Sequence, residues 1–155
     1  MIDTQKLKQF LVKAKKSTYA SGDTSKLVKN KDHSTTITYK KGDWLYHDNY
    51  FGGEPFGGRE VVFFKNKPIY VMVYYGWTSE RVKDFKPIYA FLQKALSKIP
   101  AKYPYRGPKL LQEKDLVYQN TFQGEIDKFS GKEIISKKDR KIFQTEYLGG
   151  FVDIK

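Results

Sequence analysis

The sequence predicts an α+β fold in which two helices pack on one antiparallel sheet, and three observations support this prediction. One ordered set of aromatic, glycine and acidic residues occurs twice, 72 or 73 positions apart. The first copy includes Tyr46, Gly52, Phe56 and Glu60, and the second includes Tyr118, Gly124, Phe129 and Glu133. Two amphipathic stripes also recur, and each stripe precedes alternating segments typical of strands. We therefore predict a single internally duplicated domain, 1–155, with repeats at about 3–78 and 84–150.

Each helix is predicted from apolar residues that recur at the spacing of one helical face. The first stripe consists of Leu7, Phe10, Leu11 and Ala14, and the second of Ile88, Phe91, Leu92 and Ala95. Asp3 is a good N-cap for the first helix, and Asp84 has the corresponding position before the second. Pro100 ends the second helix. Both helices should lie with one face on the sheet.

Strands are predicted from alternating and β-branched segments bounded by turn residues. In the first half these are 34–40, 44–50, 59–64 and 68–75, and in the second 116–122, 132–136 and 141–148. Short hairpin loops should lie at Asn66 and Asp139. Each half is thus a helix followed by three or four antiparallel strands, and the polar residues 20–33 should form a surface loop.

Composition excludes several classes of protein. The 12 Tyr and 11 Phe residues predict a packed core, and the absence of cysteine excludes disulfides, thiol catalysis and Cys-based metal sites. No apolar run approaches the roughly 20 residues of a membrane span, and residues 1–16 do not resemble a secretory signal. We therefore expect a cytoplasmic protein without a membrane partner.

The net charge of +12 makes non-specific nucleic-acid binding an alternative function. However, residues 1–78 contain 13 basic and 7 acidic residues, and residues 79–155 contain 16 and 10, so the charge is spread evenly. Most of the basic residues are lysine, whereas base and phosphate recognition favours arginine. A lysine-rich solvated surface is therefore the favoured interpretation.

The glycine-rich segment 46–58 is the densest polar and aromatic stretch, and it could form the wall of a small pocket through Tyr46, Asp48 and Tyr50. It has neither the Gly-Lys-Ser/Thr ending nor the following helix of a phosphate-binding loop. The structural alternative is a long connection between strands with a β-bulge.

Glu60 and Glu133 begin equivalent strands, and a twofold relation could bring them together as a pair for general acid–base chemistry. Hydrogen bonding to the preceding glycine turns is the structural alternative, and we assign no catalytic residue.

Arg106, in the turn 103–108, is placed to bind an anion or to hold a carboxylate such as Glu60; a buried Arg–carboxylate pair joining the halves is equally consistent. With only His33 and His47, no metal or cofactor site is predicted.

A binding pocket is expected on or beside the sheet face away from the helices, where aromatic walls and a few charged groups would combine. The candidate ligand-binding residues are Tyr46, Asp48, Tyr50, Glu60, Tyr75 and Glu133, with Arg106 at the rim. The opposite, helix-facing surface should be filled by the apolar stripes of the two helices.

The combined motifs resemble a family of small prokaryotic domains of unknown function. They include Tyr46-x-Asp48-x-Tyr50-Phe51-Gly52-Gly53, Phe56-x-Gly58-x-Glu60, Tyr74-Tyr75-Gly76, Pro104-Tyr105-Arg106-Gly107-Pro108 and Phe129-x-Gly131-x-Glu133. Some members follow an N-terminal helix-turn-helix in proteins labelled transcriptional regulators, a segment that this chain lacks. The resemblance implies a sensing or accessory domain and supplies no catalytic residues.

The function predicted from the sequence is therefore a non-enzymatic binding or regulatory domain for a small or acidic ligand. An enzyme that uses Glu60 and Glu133 is the alternative from a different class. The sequence does not predict an oligomeric state.

Overall fold

The computed structural model describes all residues, 1–155, and consists of two α-helices and nine β-strands. In chain order these are α1 (Thr4–Ser17), β1 (Val28–Lys29), β2 (Thr35–Lys41), β3 (Trp44–Gly52), β4 (Phe56–Phe64), β5 (Lys67–Thr78), α2 (Lys86–Ser97), β6 (Leu110–Glu113), β7 (Leu116–Glu125), β8 (Lys128–Lys137) and β9 (Arg140–Phe151). Two 3₁₀ turns, Tyr19–Ser21 and Thr24–Lys26, follow α1. Neither helix has the length and apolar composition needed to cross a membrane.

All nine strands form one antiparallel sheet in the order β1-β2-β3-β4-β5-β9-β8-β7-β6. The predicted class, two helices packed on an antiparallel sheet, is therefore confirmed. The two central strands are the last strands of the first and second halves of the chain, and Tyr74 faces Tyr147 in the middle of their pairing. Because side chains alternate along a strand, this register also decides which residues share a face.

Both helices cover the same face of the sheet, which we call the inner face. Tyr74 of β5 and Tyr147 of β9 belong to the core that includes the α1 stripe, and Phe143 of β9 belongs to the core that includes the α2 stripe. Residues four apart on a strand point the same way, so Phe143 and Tyr147 place α1 and α2 on one side. The other side, the outer face, leaves Val73, Tyr75 and Leu148 exposed.

The helices follow the predicted stripes closely. All eight predicted stripe residues are buried. The Asp3 side chain accepts a hydrogen bond from the Lys6 backbone N–H at 3.0 Å and caps α1 as predicted. At α2 the N-cap is Phe85 instead of Asp84, although Asp84 still accepts a hydrogen bond from the Lys86 backbone N–H at 3.1 Å.

The sheet has two more strands than predicted, because its two short edge strands do not show the alternation of apolar and polar residues used to predict strands. The first half contains five strands and the second four, and the additions are β1, within the segment predicted as a surface loop, and β6. β1 pairs with β2 at only two positions, which is too short to show an alternation of apolar and polar residues. Both predicted hairpins are present, since Lys65-Asn66 and Lys138-Asp139 adopt positive φ values between 48° and 65°, as two-residue hairpin turns require.

Gly124, at the end of β7, provides a test of the backbone geometry that joins β7 to β8. Its φ is +88°, and a Cβ atom there would lie 2.1 Å from the Lys128 carbonyl oxygen. We expect Gly124→Ala to lower the free energy of unfolding by about 2 kcal/mol or more, since it combines a strained φ with a backbone overlap.

Urea unfolding of Gly124→Ala beside Gly53→Ala measures this effect. Gly53 has no strained φ, and a Cβ atom there would meet nothing within 4 Å. A Gly124→Ala protein as stable as Gly53→Ala would contradict the expectation.

Candidate functional site

A cavity of about 330 Å³ lies between the two helices and the inner face of the sheet. We call it the helix–sheet cavity. It is lined by Lys15 of α1, Tyr89, Leu92 and Leu96 of α2, and residues of β3, β4 and β5. Its aromatic walls include Tyr19, Tyr50, Phe56, Tyr89 and Tyr105. Its polar floor consists of Tyr46, Asp48, Glu60, Tyr74 and Arg106 together with Lys15.

The floor of the cavity is built by alternation along adjacent strands. Tyr46, Asp48 and Tyr50 are two residues apart on β3, so all three point to the inner face. Asp48 lies directly opposite Glu60 of β4, which brings two carboxylates together under the helices. The Tyr74 hydroxyl, on β5, donates to Asp48 Oδ1 at 2.6 Å.

Lys15 joins α1 to this floor. Its Nζ lies 2.7 Å from Glu60 Oε2 and donates to the Tyr105 carbonyl oxygen at 2.5 Å. The Lys15 and Glu60 side chains are only 8% and 5% exposed, so the pair is shielded from solvent. Burial lowers the pKa of Lys15, and the negative charge of Glu60 opposes that effect.

Arg106 forms the second buried ion pair. Its Nε lies 2.6 Å from Glu133 Oε1, and the other Glu133 oxygen accepts from the Tyr118 hydroxyl at 2.5 Å. Burial acts to lower the pKa of Arg106, but the charges of Glu133 and Glu60 outweigh burial, and the pKa is raised. The Arg106 guanidinium also lies 5.5 Å from the centre of the Tyr74 ring.

Asp48 differs from the other two carboxylates because no cation forms an ion pair with it within 4.0 Å. It is 5% exposed, and its Oδ2 accepts no hydrogen bond from the protein. Burial, and secondarily the charge of Glu60, raise the pKa of Asp48 to about 7. Near neutral pH this carboxyl is therefore only partly ionised, and its Oδ2 faces the cavity without a protein donor.

A family described as "Domain of unknown function (DUF5680)" matches residues 48–152. The chain belongs to this family. No curated protein and no solved structure matches the chain. The match includes Asp48, Glu60, Arg106 and Glu133, whereas Lys15 and Tyr46 precede it. It does not show the fusion to a helix-turn-helix that the resemblance implies for some members.

Five of the seven predicted site residues line the helix–sheet cavity of this DUF5680 domain, namely Tyr46, Asp48, Tyr50, Glu60 and Arg106. These five residues lie under the helices, on the inner face, and not on the face away from the helices as predicted. The outer face also carries a hollow, which is lined by Val73, Tyr75 and Leu148 among others. The helix stripes do not fill the whole inner face, and the space left between α1, α2 and β3 forms the cavity.

Tyr75 and Glu133 do not line the cavity. Tyr75 is 53% exposed on the outer face, where its ring packs near Trp77. Glu133 is 0% exposed and lies behind Arg106, with both oxygens occupied by protein donors. Glu60 and Glu133 therefore do not share one open cleft, and the carboxylate partner of Arg106 is Glu133 instead of Glu60.

Lys15 and Tyr89 line the cavity as well, and neither was predicted from the sequence as a site residue. Lys15 follows Leu7 and Leu11 at i+8 and i+4, so it occupies an apolar position of the α1 stripe, and a lysine there is a signal of a buried charge partner. Tyr89 donates to Glu54 Oε2 at 2.5 Å and to the Gly53 carbonyl oxygen at 2.9 Å, which attaches α2 to the β3–β4 loop. No local pattern indicates this contact, since 35 residues separate the partners.

Arg106→Ala tests whether the Arg106–Glu133 pair stabilises the fold. We expect a loss of about 3 to 5 kcal/mol in the free energy of unfolding, because Glu133 would be left as an unpaired buried charge. The control is Lys137→Ala, which removes an exposed pair with Asp115 at 3.9 Å and should cost less than about 1 kcal/mol. Chemical denaturation gives the free energy of unfolding of both variants. Equal, small decreases in this free energy would show that Arg106 does not stabilise the fold.

Asp48→Asn tests the raised pKa of Asp48. The unfolded chain releases this proton near its ordinary pKa of 3.8 and the folded protein near 7, so ionisation favours unfolding. The stability of the wild type should therefore fall relative to Asp48→Asn by about 1.4 kcal/mol per pH unit between about pH 4 and pH 7, up to about 4 kcal/mol, and then level off.

The measurement is urea unfolding of both proteins across this pH range. Asp139→Asn, the same chemical change in an exposed hairpin, controls for the loss of one negative charge. A stability difference between wild type and Asp48→Asn that stays constant from pH 4 to pH 7 would contradict a raised pKa at Asp48.

Proposed function

We propose that this DUF5680 domain is a binding module for a small organic molecule, which occupies the helix–sheet cavity. The observation that carries the proposal is a ready-formed cavity of about 330 Å³ with aromatic walls and, on its floor, one carboxylate oxygen, Asp48 Oδ2, that accepts no hydrogen bond from the protein. Ligand sites commonly have this volume and this mixture of apolar walls with a few convergent polar groups. A ligand that donates a hydrogen bond would satisfy this oxygen.

A regulatory role for the domain is supported by the position of the cavity between both helices. Lys15 lies on α1 and Leu92 on α2, so a molecule in the cavity would contact both helices and the sheet at once. Binding would therefore stabilise the packing of both helices relative to the sheet. We propose that this coupling makes the domain a sensor or an accessory module, which is also the role implied by the resemblance.

Catalysis is the second candidate, and the observation in its favour is the buried, facing pair of carboxyls Asp48 and Glu60, in which burial raises the pKa of Asp48 to about 7. A carboxyl with a pKa near neutrality is suited to general acid–base chemistry, and Glu60 lies beside it. The pair Glu60 and Glu133 has no such support, because Glu133 is inaccessible. Turnover of any ligand by the wild type, with retained binding and lost turnover in Asp48→Asn, would favour the enzyme.

We also propose that residues 1–155 form one domain by internal duplication of the segments 3–78 and 84–150. Support comes from equivalent strand pairs and irregularities in the two halves. The register shifts of β4 and β8 occur at Val62 and Ile135, 73 positions apart, and the glycines with positive φ at 52 and 124 are 72 apart. Superposition of the halves should place Glu60 on Glu133 and Phe10 on Phe91.

A thermal-shift screen of small metabolites tests the binding function, with Ala20→Phe as the variant that obstructs the cavity. Ala20 lines the cavity, whereas Ala90 is exposed on α2, so Ala90→Phe is the matched control. A ligand at about 100 times its Kd should stabilise the wild type and Ala90→Phe by about 2.7 kcal/mol, or roughly 5 to 10 °C in Tm. Ala20→Phe should lose this shift.

The proposal is wrong if ligands that stabilise the wild type stabilise Ala20→Phe equally, because such ligands bind elsewhere. The nucleic-acid alternative is tested separately, by chromatography on heparin and on immobilised short DNA. Retention on these polyanions that weakens with salt, with no small-molecule shift, would favour the nucleic-acid alternative.

A further inference from the structure

The buried charges on the floor of the helix–sheet cavity do not balance when Asp48 is ionised. The third lysine or arginine that lines the cavity, Lys29, is exposed, and its Nζ donates to Thr35 Oγ1 at 2.7 Å. Lys15 is paired with Glu60, and Arg106 is paired with Glu133. Asp48 remains as a third carboxylate, and it has no cation of its own. An anionic ligand would add a fourth negative charge to two buried cations that are already paired, whereas a cationic ligand would neutralise Asp48.

The sheet contains two closely similar sets of polar residues. The first set is Asp48, Glu60 and Tyr74, beside the cavity, and the second is Asn120, Glu133 and Tyr147. Asp48 and Glu60 are opposite each other on β3 and β4, and Asn120 and Glu133 are opposite each other on β7 and β8. Tyr147 donates to Asn120 Oδ1 at 2.7 Å, just as Tyr74 donates to Asp48 Oδ1 at 2.6 Å. The two sets therefore differ chiefly in having asparagine or aspartate at one position.

The protein itself occupies the second set, through the segment that contains Arg106 and Gly107. Arg106 Nε binds Glu133, the Gly107 backbone N–H donates to the Tyr118 hydroxyl at 3.0 Å, and the Gly107 carbonyl oxygen accepts from Asn120 Nδ2 at 3.1 Å. This set thus holds a guanidinium and the backbone N–H and C=O groups of one residue. In the first set no chain segment takes the place of Gly107, and the helix–sheet cavity lies there instead.

The second set has asparagine where the first has aspartate, so a group bound at the second set accepts a hydrogen bond, whereas a group bound at the first must donate one. Asn120 Nδ2 donates to a carbonyl oxygen, whereas Asp48 Oδ2, when ionised, only accepts. We infer that the helix–sheet cavity binds an organic cation whose N–H groups, in an amine, amidine or guanidine, donate to Asp48. This inference rests on the proposed binding function and names the chemical class of its ligand.

The remainder of the ligand is constrained by the walls of the cavity. Leu92, Leu96 and Ile99 provide an apolar side, and tyrosine rings provide flat surfaces that favour a neighbouring cation or a planar group. A small aromatic or aliphatic body with a single cationic head therefore matches both the walls and the floor.

Isothermal titration calorimetry with three probes of nearly equal shape tests the charge of the ligand. The probes are benzamidinium, which is cationic, benzamide, which is neutral, and benzoate, which is anionic. We expect benzamidinium to bind the wild type at about pH 8 more tightly than either of the others. Asp48→Asn should weaken its affinity about tenfold or more, because one charge-assisted hydrogen bond is lost, while Asp139→Asn should leave it unchanged.

The pH dependence gives an independent readout. The charged and titratable groups that face Asp48 are Glu60 on β4, Tyr74 on β5, Tyr46 and Tyr50 on β3, Tyr19 after α1, Lys15 on α1 and Arg106 before β6. The pKa of Tyr74 is raised well above its ordinary value and that of Tyr19 to about 12 by burial, so neither loses its proton below pH 8. Benzamidinium affinity for the wild type should therefore rise from about pH 5.5 to pH 8 as Asp48 ionises, and this rise should be absent in Asp48→Asn.

Failure of this inference is distinguishable from failure of the binding function. Tighter binding of benzoate or benzamide than of benzamidinium, lost in Ala20→Phe, would overturn the cationic class and leave the cavity as a binding site. If none of the three probes binds, the charge of the metabolites found in the thermal-shift screen decides. Cations that need Asp48 support the inference, and acids or neutral molecules that do not need it overturn it. An absence of any ligand in both experiments would overturn the binding function and the inference together.

Discussion

The burial of three carboxylates on one face of the sheet is the constraint on which the rest of this structure depends. Asp48, Glu60 and Glu133 all lie under the helices and are at most 5% exposed. A buried carboxylate is tolerated only where cations and hydrogen-bond donors satisfy it. The lysine near the end of α1, the arginine in the connection after α2 and the tyrosines of the inner face all supply such partners.

This constraint explains why the inner face is rich in tyrosine where a purely apolar core would contain phenylalanine or leucine. Tyr74, Tyr118 and Tyr147 each donate a hydroxyl to a buried polar group while their rings pack in the core. A shift of one residue in any of these strands would move the hydroxyls to the other face and leave the buried acceptors without donors. The polar network thus specifies the register of the sheet more strictly than apolar packing alone.

The helices, the longer strands and the hairpins could be predicted from the sequence because they follow from local periodicity and turn chemistry. The face that carries the cavity could not, because Ile69, Val71 and Val73 make the outer face of β5 more apolar than the inner face formed by Tyr70, Met72 and Tyr74. Tyrosines with hydroxyl partners are buried more readily than their polarity suggests. Tyr75 cannot line this cavity together with Tyr74, because adjacent residues on a strand point to opposite faces of the sheet. The cavity itself is the space that α1, α2 and the sheet leave unfilled between them, and no local sequence pattern predicts such a space.

The pairing of β5 with β9 has a consequence for the order in which the chain folds. β5 ends at Thr78, but the strand that covers its free edge is completed only at Phe151. During synthesis the first half therefore emerges with an apolar strand whose backbone groups have no partner on one side, a state open to pairing with other chains. The central strands also join residues about 70 positions apart, so the contact that closes the sheet is among the slowest to form. We therefore expect the middle of the molecule, where β5 and β9 meet, to be among the last parts of the sheet to assemble.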